Sequence, residues 1–226
     1  MRTDAAVRHI QSLDVERAKG YETYFETMRP ETQEDIFRRW IFAYASVHTS
    51  WKYNVALYNN LKDLTWVGDK QDLHDRIVDS RAGLHNNRTK FIHAFSGFFY
   101  DHPGWFLRSP WETWFEYRDR LMEHTPGLGI AKTSFALELV HFHDTATVCF
   151  DTHQLQLYGL TTKQIQTKGY NLKTVKKMEQ HWVHTCKTFD ISPVTARWLY
   201  FDDRQGEEDS RYWSHVIDEQ PYEVVA

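Results

Sequence analysis

The chain has 226 residues, 41% of them hydrophobic and 15% aromatic, which is enough for a sizeable core in one domain or in two interleaved lobes. No stretch approaches the roughly 18 consecutive apolar residues of a membrane span, and residues 1–20 carry charges throughout, so we expect neither a membrane-spanning helix nor a signal peptide. The formal net charge of −4 counts against a protein that coats nucleic acid everywhere, so binding to nucleic acid would need a local basic surface.

Helical periodicity of the apolar residues accounts for the first hundred residues. Gly20 predicts a break within the first helical pattern, and Pro30 lies at the first turn of the second. The helix nearest residue 100 is apolar on most faces, so we expect it to be central. The predicted helices in this half cover residues 4–28, 31–47, 51–61, 71–80 and 89–100.

The second half of the chain continues in the same way. Pro193 follows Ser192, which is typical of a first helical residue after its cap. The predicted helices cover residues 111–124, 130–140, 172–189 and 193–205, with a helix opening near 151 and a short one over 209–218. No convincing strand pattern occurs, so the predicted fold class is all-α.

A turn between two of these helices carries the first functional signal. Pro126 and Gly127 end one helix, Leu128 is the apolar residue inside the turn, and Gly129 precedes the next helix. This spacing predicts a helix-hairpin-helix. Glycines there let backbone N–H groups at a helix start approach a phosphate closely. Lys132 and Thr133 would add to that attraction.

The second signal is the run Phe150-Asp151-Thr152-His153, which opens a helix after the hairpin. A Pro-Gly-x-Gly hairpin, a helix, a short loop and an Asp-Thr-His run together resemble the helix-hairpin-helix DNA glycosylase superfamily. The resemblance implies that Asp151 is the catalytic carboxylate. The alternative from the residues alone is that Asp151 is a helix cap, and one carboxylate can serve both roles.

Two further stretches match the family in the expected order. Residues 45–49 resemble its Ser-x-Gln-x-Thr segment, with His48 where the family has a glutamine that fills the gap left by an extruded base. The alternative for His48 is a histidine that meets a helix dipole. Residues 82–92 resemble the Gly-Leu-Tyr-Asn-x-Lys-Ala stretch, which places Arg88 and Lys90 near phosphates.

The resemblance covers about residues 36–160 and implies a two-lobed helical glycosylase fold with double-stranded DNA in the cleft. We expect residues 36–125 to form one lobe, and residues 1–35 with 126–226 to form the other, in a single monomeric unit. A lysine-rich stretch over 161–178 is a candidate DNA surface, and the alternative is a solvated helix face.

We expect the protein to use no cofactor. Two cysteines, Cys149 and Cys186, cannot ligate the four-cysteine iron–sulfur cluster of some family members, and their scarcity suits a reducing cytoplasm. The histidines form no compact zinc signature. A monovalent cation bound at the hairpin remains an alternative to this expectation. We expect a protein of the cytoplasm, in a bacterium or a phage-infected host cell.

Family members that also cut the strand use a hairpin lysine that forms a Schiff base with the sugar. That position is Ala131 here, and Lys132 follows one residue later, turned by about 100° around the helix. The favoured function is therefore a monofunctional DNA N-glycosylase that flips a damaged or modified base. The alternatives are a glycosylase-fold enzyme that modifies bases, as in phage proteins that attach amino acids to activated thymine, and a non-catalytic DNA-binding module.

Overall fold

The computed structural model describes residues 2–168 and 171–205, and these residues are helical without a strand. They form twelve α-helices and a short 3₁₀ helix, Pro103–Phe106. The helices are α1 Asp4–Gln11, α2 Val15–Thr27, α3 Gln33–Ala45, α4 Trp51–Leu61, α5 Lys70–Asp79, α6 His85–Asp101, α7 Trp114–Met122, α8 Ile130–Val140, α9 Thr152–Leu157, α10 Thr162–Gln166, α11 Leu172–Thr188 and α12 Pro193–Gln205. The predicted helix over 209–218 lies outside the described residues. No described helix has the length and apolar character needed to cross a bilayer.

The helix starts follow from capping chemistry. Thr32 and Thr113 open α3 and α7 with capping boxes, in which the threonine side chain and an acidic residue three positions later satisfy each other's backbone N–H groups. The break predicted at Gly20 is wrong, because Asp14 caps the start of α2 and Gly20 lies inside that helix. The first helical segment therefore ends at Gln11.

The described residues divide into two compact units. One comprises residues 30–140, and the other comprises residues 2–29 with 141–168 and 171–205. The observed boundary after residue 140 differs from the predicted boundary after 125, because α8 packs against α3 and α7 within the first unit.

In the unit of residues 30–140, α8 is the central helix. Residues 133–140 are all buried, and α3, α7 and α8 form the core with α6 packing on α3. A helix that is buried around its circumference has no freedom to rotate or slide. The hairpin turn that leads into α8 is therefore attached to a helix whose position is fixed.

In the other unit, α12 packs against α2, α9 and α11, and α1 packs against α11. Trp182 and Trp198 are fully buried in this unit. The short helix α9 is thus held by α12, far along the chain.

Candidate functional site

The hairpin turn, residues 123–129, is built as the sequence predicts. The backbone N–H of Leu128 donates to the carbonyl of Thr125 at 3.1 Å, and the Leu128 side chain is buried. Gly127 has φ +85, and a Cβ atom there would lie 2.3 to 2.9 Å from ring carbons of Phe91 on α6. Only glycine fits this position, for reasons of both backbone conformation and space.

Gly129 differs from Gly127 in its surroundings. A Cβ atom added there would meet no atom within 4 Å. Its carbonyl accepts from the backbone N–H groups of Lys132 and Thr133, both at 3.0 Å, which starts α8. The first turn of any α-helix leaves backbone N–H groups without an intrahelical acceptor. The open space at Gly129 gives an anion access to this turn.

Two of the predicted phosphate contacts on α8 have different outcomes. Lys132 is half-buried, with Nζ 5.2 Å from the centre of the Phe135 ring, and its contact with phosphate stays a prediction. Thr133 is completely buried, so the predicted phosphate contact of its side chain does not hold. Thr133 is the first of the eight consecutive residues, 133–140, that are all buried in the core around α8.

Asp151 lies in the other unit and caps α9. Its Oδ1 accepts from the backbone N–H groups of His153 at 2.8 Å and Gln154 at 3.1 Å. Oδ2 has no hydrogen-bond partner among the described residues, and the side chain is half-exposed. One carboxylate oxygen thus fixes the side chain on the helix, and the other stays available.

The segment before Asp151 is anchored from a distant helix. The backbone N–H of Val148 donates to the buried Glu179 carboxylate on α11 at 2.8 Å. Phe150 packs on Tyr158 with ring centres 5.4 Å apart. Sequence patterns missed Glu179, because its partner lies 31 positions earlier and has no local signature.

The charge of Asp151 affects the pKa of Tyr200 on α12. Burial raises the pKa of Tyr200, the Arg204 cation opposes that rise, and the Asp151 carboxylate adds to it. This phenol was also absent from the predicted set. It lies on a helix predicted from periodicity alone, where no motif marks it.

The turn between α3 and α4, residues 46–50, presents His48. This histidine is exposed and has φ +47, in the left-handed region that non-glycine residues seldom adopt. The backbone N–H of Val47, just before it, donates to the carbonyl of Tyr44 at 3.3 Å. A gap-filling role for His48 stays a prediction.

Arg88 does not have the place that the sequence predicted. Its side chain is buried beneath the turn, and its guanidinium donates to backbone carbonyls rather than facing solvent. The predicted phosphate contact of Arg88 therefore does not hold. Lys90, two positions later on α6, is exposed, and its phosphate contact stays a prediction.

These helices build the fold of a helical DNA glycosylase. The particular structure that shows it is the 8-oxoguanine DNA glycosylase of Thermotoga maritima, which matches 90% of this chain and 98% of its own with a TM-score of 0.70. Sequence identity is 18%, so the likeness concerns the fold. It confirms the predicted all-α glycosylase fold. No protein-family model and no curated protein matches the sequence significantly.

Proposed function

We propose that this protein is a monofunctional DNA N-glycosylase, which binds double-stranded DNA as a monomer, extrudes a damaged or modified base and hydrolyses its bond to deoxyribose. The observation that carries the proposal is Asp151. Its Oδ1 caps α9 while Oδ2 has no partner among the described residues, so a charged oxygen is held in place and left available for substrate.

The reaction needs one such carboxylate. As the bond between the base and C1′ lengthens, positive charge develops on the sugar, and a fixed carboxylate stabilises that oxocarbenium-like state. Water then adds to C1′ and loses a proton, while the departing base takes one up. Asp151 would orient that water and stabilise the sugar cation, and no metal or cofactor is assigned to the step.

The hairpin turn would hold the DNA strand by its backbone. N–H groups at the start of α8 and the Lys132 cation suit a phosphate, and the open space at Gly129 lets the phosphate approach. Contacts of this kind do not depend on base sequence. They position the duplex and leave the choice of base to other residues.

The test uses Asp151→Asn, because asparagine caps a helix about as well as aspartate does. Duplexes that carry single altered bases are incubated with each protein, and abasic sites are counted. 8-Oxoguanine is tested first, since the structural neighbour is a glycosylase for that base. We expect wild type to release one of these bases and Asp151→Asn to lose at least about a hundredfold in rate, within the range of a general acid or base.

Asp14→Asn is the matched control, because Asp14 caps α2 with the same pattern, its Oδ1 accepting from two backbone N–H groups. This variant should keep full activity. DNA affinity of Asp151→Asn should stay within a few-fold of wild type. Equal loss of binding and activity would make Asp151 a structural cap only. If no altered base is released, the alternative of a base-modifying transferase gains, and labelled amino acid incorporated into DNA with an activated thymine would identify it.

A further consequence is the absence of strand cleavage. With Ala131 at the lyase position, the sugar cation should react with water and never with an amine, so borohydride should trap no protein–DNA adduct. An adduct that disappears in Lys132→Ala would show that the hairpin supplies a lysine after all. An adduct that persists in that variant would place the nucleophile elsewhere in the chain.

A further inference from the structure

Arg88 is buried, and its guanidinium has no carboxylate partner among the described residues. Its Nε donates to the carbonyl of Gly83 at 3.0 Å, and Nη1 donates to those of Tyr44 at 2.9 Å and Ala45 at 3.1 Å. Nη2 donates to the carbonyl of Val47. Burial lowers the pKa of Arg88, as expected for a cation that is balanced by dipoles alone.

The carbonyls of Tyr44, Ala45 and Val47 belong to the end of α3 and the turn that follows it. The last carbonyls of a helix have no intrahelical partner, and the negative end of the helix dipole lies there. Arg88 itself lies in the first turn of α6, where that helix's own dipole disfavours a cation. The position of this charge is therefore explained by the end of α3 and not by α6.

A buried cation must recover its lost hydration through bonds of good geometry. Charge-assisted hydrogen bonds to two carbonyls at the end of α3 and one in the following turn do this only while the carbonyls converge on the guanidinium. The path of the backbone through Val47 is thus specified by Arg88. His48 is the next residue, and it has φ +47.

We propose that Arg88 is a positioning residue for His48: it fixes the α3–α4 turn so that His48 is held ready to occupy the gap opposite the orphaned base. This inference rests on the proposed glycosylase function. It makes discrimination of the opposite base depend on a residue that touches no DNA. Arg88 would strengthen binding through preorganisation of His48, because a residue already held in its bound conformation loses less conformational entropy when DNA binds.

α6 links this turn to the hairpin. Arg88 lies under the α3–α4 turn, and Phe91, three residues later on the same face of α6, lies against Gly127. All of these residues belong to one compact unit. The spacing between the phosphate-binding turn and His48 is therefore set by about one turn of helix.

The experiment measures affinity for duplexes that contain one tetrahydrofuran abasic analogue opposite A, C, G or T, by fluorescence anisotropy. We expect wild type to prefer one opposite base by about tenfold, in line with the usual cost of one wrong base. His48→Ala and Arg88→Lys should each remove most of that preference. In the double variant the losses should not add, since both changes act on one contact.

Lys90→Ala is the matched control on the exposed face of α6. It removes a cation close in sequence to Arg88 without disturbing the carbonyls, so any loss of affinity should be the same for all four duplexes. Additive effects of Arg88→Lys and His48→Ala, or a wild type without preference among opposite bases, would overturn the inference. Binding no tighter to abasic than to intact duplex would instead count against the proposed function.

A measurement on wild type covers the case in which Arg88 variants do not fold. The backbone order parameter of His48 from nuclear magnetic resonance relaxation should be that of rigid structure, about 0.85, in the absence of DNA. A value below about 0.6 would show that the turn is not held, and would overturn the inference whatever the variants do. Arg88→Gln, which replaces the buried charge by a neutral amide, provides a second variant for the affinity series.

Discussion

The hairpin turn and the α3–α4 turn are two loops of the same unit that are fixed by opposite means. The hairpin is fixed by steric packing. Position 127 requires glycine because the Phe91 ring occupies the volume that a side chain would need. The α3–α4 turn is fixed by a buried charge. The Arg88 guanidinium donates hydrogen bonds to backbone carbonyls at this turn, and His48 stays exposed. A tight turn that presents backbone N–H groups to a ligand needs small residues. A turn that presents a side chain needs other residues to hold its backbone in place.

The largest effect should come from Gly127→Ala. The new methyl group would overlap the Phe91 ring and force a left-handed conformation, and each penalty is roughly 1–3 kcal/mol. Urea unfolding should show the sum as a lower midpoint. Phe91→Ala in the same chain should recover the part due to the clash, so that the double variant is more stable than additivity predicts. Simple additivity would mean that the hairpin does not rest on Phe91.

Gly129→Ala should separate function from folding. Its methyl group has open space, so stability should change by less than about 1 kcal/mol. If a phosphate occupies that space in the complex with DNA, as proposed, the methyl group should displace it, and losing one charge-assisted hydrogen bond should lower duplex affinity about tenfold. Gly97→Ala, at another open glycine of the same unit, should leave affinity unchanged. Full affinity in Gly129→Ala would show that DNA does not approach this turn.

Lys132→Ala should have a smaller effect that is visible as salt dependence. The slope of log affinity against log salt should become shallower by about 0.9, the value for one phosphate, and equally so for all sequences. Lys70→Ala, an exposed lysine at the start of α5, should leave the slope as in wild type. An unchanged slope for Lys132→Ala would remove this residue from the DNA interface.

Replacement of Phe91 by a smaller apolar residue should have a weaker effect than any of these changes. Phe91→Leu should loosen the hairpin and weaken binding by less than about threefold, because a hydrophobic replacement of similar size is tolerated best in a packed site. The factor should be the same for every opposite base. Arg88→Lys should do the reverse, changing the preference among opposite bases more than overall affinity. If Phe91→Leu changed that preference, the two turns would be coupled rather than independently supported.

Local sequence signals predicted much of the fold. The bounds of α4, α8 and α12 agree with the prediction, because apolar periodicity and residues such as Gly129 and Pro193 mark them within a few positions. Gly20 was misleading, since a glycine inside a helix costs only about 1 kcal/mol and tertiary packing offsets it. The cap at Asp14 was the stronger signal.

The structural positions of Asp151 and of the hairpin glycines were predicted from local signals, whereas their roles toward DNA stay predictions. Asp151 and the hairpin glycines lie within one stretch of about 25 residues, and their spacing is legible in the sequence. Arg88 and Thr133 were misplaced, because a polar residue near a helix start looks solvent-facing until its neighbours are known. Glu179 and Tyr200 could not be found at all, since each meets the Asp151 segment only after the chain has folded.

The way in which Asp151 is held offers a means of finding the natural substrate. A side chain whose structural task is served equally well by an amide can lose its charge while the protein keeps its shape. Asp151→Asn should therefore act as a trap that engages its target nucleotide and does not release the product. DNA recovered with such a trap from cells, and digested to nucleosides for mass spectrometry, would reveal the altered base without any prior guess at its identity.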